Sequence, residues 1–256
     1  MKPIGKNLHQ MNPKSRFSDR AEDYAKYRPS YPTEAIDCIL EGLEVERLQA
    51  ADIGAGTGIA SRLLADRGIK VIAVEPNAAM REAATEHPLV EFQQGSAEDT
   101  KLPDNSVDLV TCFQSFHWFN PEPTLKEFAR ILKPRGRLAA IWNNRDKEDK
   151  FTEEYSFLTQ IVSQNQSEIR YGTERFLRDT NLLSLISHSI FSYYQKLDYE
   201  ALIGRAMSTS YIPKQGGVAN KLKKDLEQLY KKYRDTDGFV YLQYKTNVYL
   251  ALSTEE

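Results

Sequence analysis

Residues 46–144 predict an α/β fold in which a parallel sheet is covered by helices on both faces, and three observations carry that prediction. First, five short apolar runs recur along the segment: Leu48–Ile53, Val71–Glu75, Leu89–Phe92, Val107–Phe113 and Leu138–Trp142. Second, the stretches between them have helical spacing. Ile59 and Leu63 are four apart, as are Ala60 and Leu64; Met80, Ala83 and Ala84 continue the pattern, and Leu125, Phe128, Ala129 and Leu132 repeat it after Pro121. Third, punctuation falls at the junctions: a glycine-rich turn follows the first run, and Lys133-Pro134-Arg135-Gly136 stops the last helix. Short runs that are apolar throughout suit strands buried on both faces, and their alternation with helices suits parallel crossovers.

The remaining elements follow in chain order. Residues 1–45 are expected to form an N-terminal arm, polar and aromatic up to residue 32, then a helix over Thr33–Leu43 with Ile36, Ile39, Leu40 and Leu43 facing inward. Residues 145–210 are expected to form a helical insertion that covers the site, with Phe157, Leu158, Ile161 and Val162 on one stripe and a weak strand pattern over Phe191–Tyr199. Residues 211–256 carry an amphipathic helix through Leu226, Leu229 and Tyr233, then an alternating final strand or hairpin over Gly238–Leu252 that completes the sheet. No internal repeat or low-complexity linker divides the chain, so the economical organisation is one domain.

Composition narrows the function. The 256 residues are 41% hydrophobic, which excludes a disordered chain. Lys and Arg number 34 against 36 Asp and Glu, a net charge of -2 that offers no overall field for nucleic acid or an anionic membrane. The cationic stretch Lys221–Arg234 is interleaved with Asp225 and Glu227, as a solvated helix face is. Cys38 and Cys112 fall at apolar positions without Cys-x-x-Cys spacing, and the four histidines are scattered, so neither a disulfide framework nor a metal site is expected. No signal peptide or 18-residue apolar stretch is present, which points to a cytoplasmic protein without stable membrane association; nothing fixes an oligomeric state.

The chemistry is concentrated at Asp52-Ile53-Gly54-Ala55-Gly56-Thr57-Gly58, between a predicted strand and a predicted helix. Glycines there let a ligand approach main-chain N–H groups closely. Glu75 ends the next strand, where a carboxylate can accept both hydroxyls of a ribose. The dinucleotide fingerprint requires a further glycine where Ile59 stands, and a phosphate loop requires a lysine that is absent. Asp52, in the same corner, is a poor neighbour for a pyrophosphate and a good one for a cation. The ligand these residues describe is a phosphate-free adenosine with a cationic end, and S-adenosyl-L-methionine fits.

In order, Ala51–Gly58, Val74–Met80, Gly95–Asp99 with Leu102–Asp108, and Leu132–Leu138 resemble the motifs of the class I S-adenosylmethionine-dependent methyltransferases. Within that class the chain is similar to the small-molecule, type 11 group that includes the trans-aconitate and quinone-biosynthesis enzymes. The resemblance implies a Rossmann-like three-layer sandwich with a mostly parallel seven-stranded sheet whose last strand is antiparallel. It implies that Gly54, Gly56 and Gly58 line the methionine moiety with Asp52 beneath, that Glu75 holds the ribose, and that Met80 packs on the adenine. The turn Ser96-Ala97-Glu98 would meet the adenine edge; relatives often carry Asp where Ser96 stands, which leaves Ala97 backbone groups or Glu98 to supply that contact.

Phe113-Gln114-Ser115-Phe116-His117-Trp118 leaves the fourth strand at its carboxyl end, beyond which ligands of open α/β sheets bind. Gln114 is therefore expected at the cofactor and Trp118 at the substrate pocket, while His117 is either a base for a substrate proton or a wall of the pocket. In the arm, Tyr24 and Arg28 lie four apart; Arg28 can pair with the methionine carboxylate under Tyr24, or both can simply pack on the sheet. Tyr211 sits near a Pro- and Gly-rich stretch that suits a lid, and Phe151, Tyr155, Tyr171 and Phe176 suggest an acceptor with an apolar or planar part. The expected activity is methyl transfer by in-line displacement to a small-molecule acceptor. A non-catalytic cofactor-binding regulator, and methylation of a lipid, peptide or RNA, are the alternatives.

Overall fold

The computed structural model describes residues 18–162 and 173–254, in which short runs form the first four strands and longer segments of mixed polarity the last three. The strands are β1 (Gln49–Ile53), β2 (Lys70–Val74), β3 (Val90–Gln93), β4 (Val107–Phe113), β5 (Leu132–Arg145), β6 (Leu183–Leu197) and β7 (Val240–Ser253). They join in one seven-stranded sheet of order β3-β2-β1-β4-β5-β7-β6. β1 through β5 run parallel, and β7 enters antiparallel between β5 and β6. This is the Rossmann-like arrangement the sequence implied. The strand order reverses at β1, so a crevice opens beyond the carboxyl ends of β1 and β4.

Helices cover both faces. On one, α2 (Thr33–Leu40) and α3 (Ile59–Ala65) bury Ile36, Ile39 and Leu64 against Ala50, Leu109 and Val248. On the other, α5 (Pro121–Ile131) sets Leu125 and Phe128 against Val110, Leu138 and Trp142. A third cluster joins α6 (Lys150–Val162), α8 (Tyr199–Met207) and α9 (Gly217–Tyr233) to the outer half of β7 through Tyr155, Leu202, Leu226 and Leu242. The arm helix α1 (Ala21–Tyr27) packs on α8, where Gly204 leaves the room that the Tyr27 ring occupies; a Cβ there would lie 2.4 Å from it. Lys26 and Tyr27 both bond Glu200, and Gln195 donates to the Tyr27 carbonyl at 2.9 Å. Among the described residues, α4 (Ala78–Glu82) and α7 (Thr173–Arg178) are the other α-helices.

Two expectations are corrected. The segment 145–210 is not a purely helical cover: β6 runs through it from Leu183 to Leu197, and Tyr199 opens α8 instead of ending a strand. β6 is an edge strand, exposed at Ile186, Ile190 and Tyr194 and half-buried on its other face, so both faces mix polar and apolar residues and the alternation is blurred. The α6 stripe is also rotated from its expected position: Phe157 and Ile161 are 62% and 59% exposed, whereas Phe151, Tyr155 and Thr159 are buried. The aromatic residues Phe151 and Tyr155, which dock with Tyr244 and Tyr233, orient the helix. Of the two alternatives for the end of the chain, a final strand or a hairpin, the described residues form the single strand β7.

Candidate active site

The turn from β1 into α3 needs left-handed backbone at three places, and Gly54, Gly56 and Gly58 supply it with φ of +69°, +60° and +71°. Gly54 has a second constraint: a Cβ on it would lie 2.7 Å from Ser115 Cβ and 3.1 Å from the Phe119 ring. The Gly54 N–H donates to the Val74 carbonyl at 2.8 Å, and Ser115 Oγ donates to the Ile53 carbonyl at 2.7 Å. The loop is thus stitched to β2 on one side and to the end of β4 on the other.

Glu75 does more than end β2. Its Oε2 accepts the Gly56 N–H and its Oε1 the Asn77 N–H, both at 2.9 Å, while Asn77 Oδ1 accepts the Met80 N–H and caps α4. Burial raises the Glu75 carboxyl, and the two N–H bonds oppose that. A carboxylate has about four lone-pair sites, so two bonds leave acceptor capacity for a diol. Glu75→Ala is expected to strand both N–H groups and to lower stability by about 1–3 kcal/mol for each, measurable by urea unfolding; an unchanged midpoint would refute this bracing role.

Asp52 is 1% exposed beneath the loop. Its Oδ2 accepts from Ser61 at 2.6 Å and its Oδ1 from Thr111 at 3.0 Å. Burial pushes this carboxyl up to about 6, with the two hydroxyls acting in the opposite direction. No cation of the described residues pairs with it.

A cavity of about 270 Å³ opens beside the loop. It brings together five of the site residues expected from the sequence, Tyr24, Arg28, Gly54, Gln114 and Tyr211, with Ala55 of the glycine loop beside them. The Arg28 guanidinium lies 4.5 Å from the Tyr24 ring centre and donates to the Ser208 carbonyl at 3.1 Å. Met80 and Tyr24 flank Gly56, with their nearest carbons 3.3 and 3.7 Å from where a Cβ would stand. Gln114, at φ +54°, donates through Nε2 to the Asn143 carbonyl at 3.0 Å.

Other expected site residues lie off the cavity wall. His117 is 7% exposed and takes the Trp142 indole N–H on Nδ1 at 3.4 Å; Trp118 is its ring neighbour, at 5.3 Å. Ser96 and Asp99 close a tight bridge around Ala97, and Glu98 accepts the Asn120 N–H at 3.0 Å at the start of α5. Phe151 and Tyr155 stand behind the cavity, not on its wall, while Tyr171 and the Phe176 side chain lie outside the described residues. Sequence reasoning missed Asn143, Arg145, Arg205, Tyr244 and Tyr249, which do line it. Their one legible sign was position: Asn143 and Arg145 follow the predicted fifth strand, at its carboxyl end. Among the described residues the walls carry no Asp, Glu, His or Cys. The described residues also hold no cluster of three potential metal ligands and no helix long and apolar enough to cross a membrane.

Comparisons with known proteins identify the family. A family model described as a methyltransferase domain matches residues 51–140, the span from β1 through β5. An uncharacterized methyltransferase of Mycobacterium tuberculosis is 34% identical over 196 residues, 76% of each chain. A Dictyostelium discoideum protein named as a methyltransferase is 30% identical over 94% of this chain and 95% of its own. A solved structure described as a type II methyltransferase, from Anaeromyxobacter dehalogenans, superposes with a TM-score of 0.64 at 21% identity, covering 89% of this chain and 97% of that one. Sheet order, glycine loop, acidic strand end and relatives converge: the chain belongs to the class I S-adenosylmethionine-dependent methyltransferases.

Proposed function

We propose that the protein binds S-adenosyl-L-methionine at the β1–α3 loop and transfers its methyl group to a small-molecule acceptor in the adjoining cavity. The observation that carries this reading is the continuity of the glycine loop with a cavity of about 270 Å³, a volume suited to a small acceptor. The donor set fits the cofactor. Glu75 offers lone pairs to a ribose, Arg28 is a cation for the methionine carboxylate, and Tyr24 and Met80 frame the approach to Gly56. The Ser96–Glu98 turn is assigned to the adenine edge. Asp52, buried without a counter-ion, supplies the negative potential that a sulfonium and an ammonium favour.

When bound, the cofactor supplies a methyl group on a positively charged sulfur, a good leaving group for in-line displacement. The chain's own residues contribute alignment and exclusion of water. Tyr24 and Arg28 close one side of the cavity, and Gln114, anchored to Asn143, fixes another. His117 is assigned to hold Trp142 in place, since its Nδ1 is engaged by the indole and it lies off the wall.

The test is incubation of the full chain with methyl-labelled S-adenosylmethionine and a cell extract containing small molecules, protein and RNA. Label is expected in the small-molecule fraction. Label confined to protein, RNA or lipid would contradict the proposed acceptor class, and no transfer at all would favour a binding regulator.

A further inference from the structure

The cavity has a cationic region that the reading above leaves unused. Arg145, from the end of β5, and Arg205, from α8, both line it. Arg205 is 5% exposed, yet its bonds are two long contacts to neutral hydroxyls: Nε to Tyr244 and Nη1 to Thr209, each 3.4 Å. Arg145 lies 4.7 Å over the Tyr155 ring and donates to Thr159 Oγ1 at 2.8 Å. No carboxylate of the described residues pairs with either guanidinium. Beside them the Tyr155 hydroxyl is fully buried and has no hydrogen-bond partner among the described residues.

A buried guanidinium without a counter-ion is costly, and arginine is rarely this buried unless paired. One such group, joined on the same cavity by the half-buried and equally unpaired Arg145 and by a stranded hydroxyl behind them, describes a place kept for oxygen atoms that carry negative charge. Arginine suits that role because its planar fork matches a carboxylate or phosphate face. The absence of acids from the described walls excludes the reverse choice, since a cationic acceptor would meet only like charge there.

We propose that Arg145 and Arg205 form an oxyanion-binding subsite that holds a carboxylate or phosphate group of the methyl acceptor. The proposal rests on the assignment of this cavity to the acceptor. Arg28 serves the cofactor's carboxylate, so the filled cavity holds two anionic groups on separate arginines.

The test titrates the full chain, saturated with S-adenosylhomocysteine, with acetate, succinate and inorganic phosphate by calorimetry. Acetamide and sodium chloride serve as neutral and ionic-strength controls. At least one oxyanion is expected to bind tenfold or more tightly than acetamide, and preference between the carboxylates and phosphate identifies the headgroup. Arg145→Gln and Arg205→Gln are each expected to weaken that binding at least tenfold while S-adenosylhomocysteine affinity stays within twofold. Arg145 is partly exposed, so its variant keeps the test decisive if the buried Arg205 variant fails to fold. Oxyanions that bind no better than acetamide, or an affinity that Arg145→Gln leaves unchanged, would overturn the subsite and leave methyl transfer standing. Failure of S-adenosylhomocysteine to bind would instead overturn the proposed function, and the same titrations on the ligand-free chain would still decide the subsite.

Discussion

The Asp52→Asn variant is expected to unfold at a higher temperature than the wild type at pH 7.5 while binding S-adenosylmethionine at least tenfold more weakly. The two effects share one cause. Burial pushes the Asp52 carboxyl up to about 6 from an ordinary value of 3.8. A raised value in the fold means that protonation stabilises the folded state. The contribution is fully present below 3.8 and is lost as pH rises through about 6. At pH 7.5 the ionised group therefore costs roughly 2–3 kcal/mol. Asparagine removes the charge and keeps the shape, because the Ser61 and Thr111 hydroxyls can each donate or accept. For a chain of this length the gain corresponds to roughly 4–10 °C, and it should vanish near pH 4. Cofactor affinity moves the other way. The wild type should lose affinity as pH falls below about 6, where Asp52 takes a proton, and the variant should be flat across that range. Glu75 and the Cys112 thiol, also raised by burial, are the nearby titratable groups and remain in both chains. Calorimetry and thermal melts from pH 4 to 8 read both arms; a variant that is less stable and binds normally would reject the account of Asp52.

Gly54→Val is expected to abolish measurable cofactor binding and to destabilise the chain by about 3 kcal/mol or more. A branched side chain meets a φ of +69° and a Ser115 Cβ 2.7 Å away. Relief requires the loop to leave its bonds to Val74 and β4, and with them the surface on which the ligand sits. Gly42 is the control: its φ is +74°, but nothing lies within 4 Å of a Cβ there. Gly42→Ala should cost only the backbone term of about 1–2 kcal/mol and leave binding intact. If both variants bind the cofactor alike, the loop is not the cofactor's seat.

The parts of this fold that were readable from sequence are those whose cause is local. The runs that became β1, β2, β4 and the middle of β5 are largely buried on both faces, so they are mostly apolar and stand out from the helices between them. The glycine loop was readable because left-handed backbone demands glycine, and Glu75 because it ends the next strand. β6 was blurred because an edge strand is not required to be apolar on either face. The α6 stripe was misplaced because helical spacing alone cannot say which of two apolar faces docks; Tyr155 against Tyr244 decided it, across about ninety residues of sequence. Arg145, Arg205 and Tyr249 reach the cavity from three elements distant in the chain, and no motif links them. His117 was singled out for its residue type and for its place beyond β4, but the fold turns it toward Trp142.

The most direct test of the central claim is a competition titration of the full chain with S-adenosylmethionine, NAD and ATP. A saturable complex with S-adenosylmethionine, displaced by S-adenosylhomocysteine and untouched by NAD or ATP, is the predicted result. Tighter binding of either phosphate-bearing nucleotide, or no heat with any of them, would contradict it.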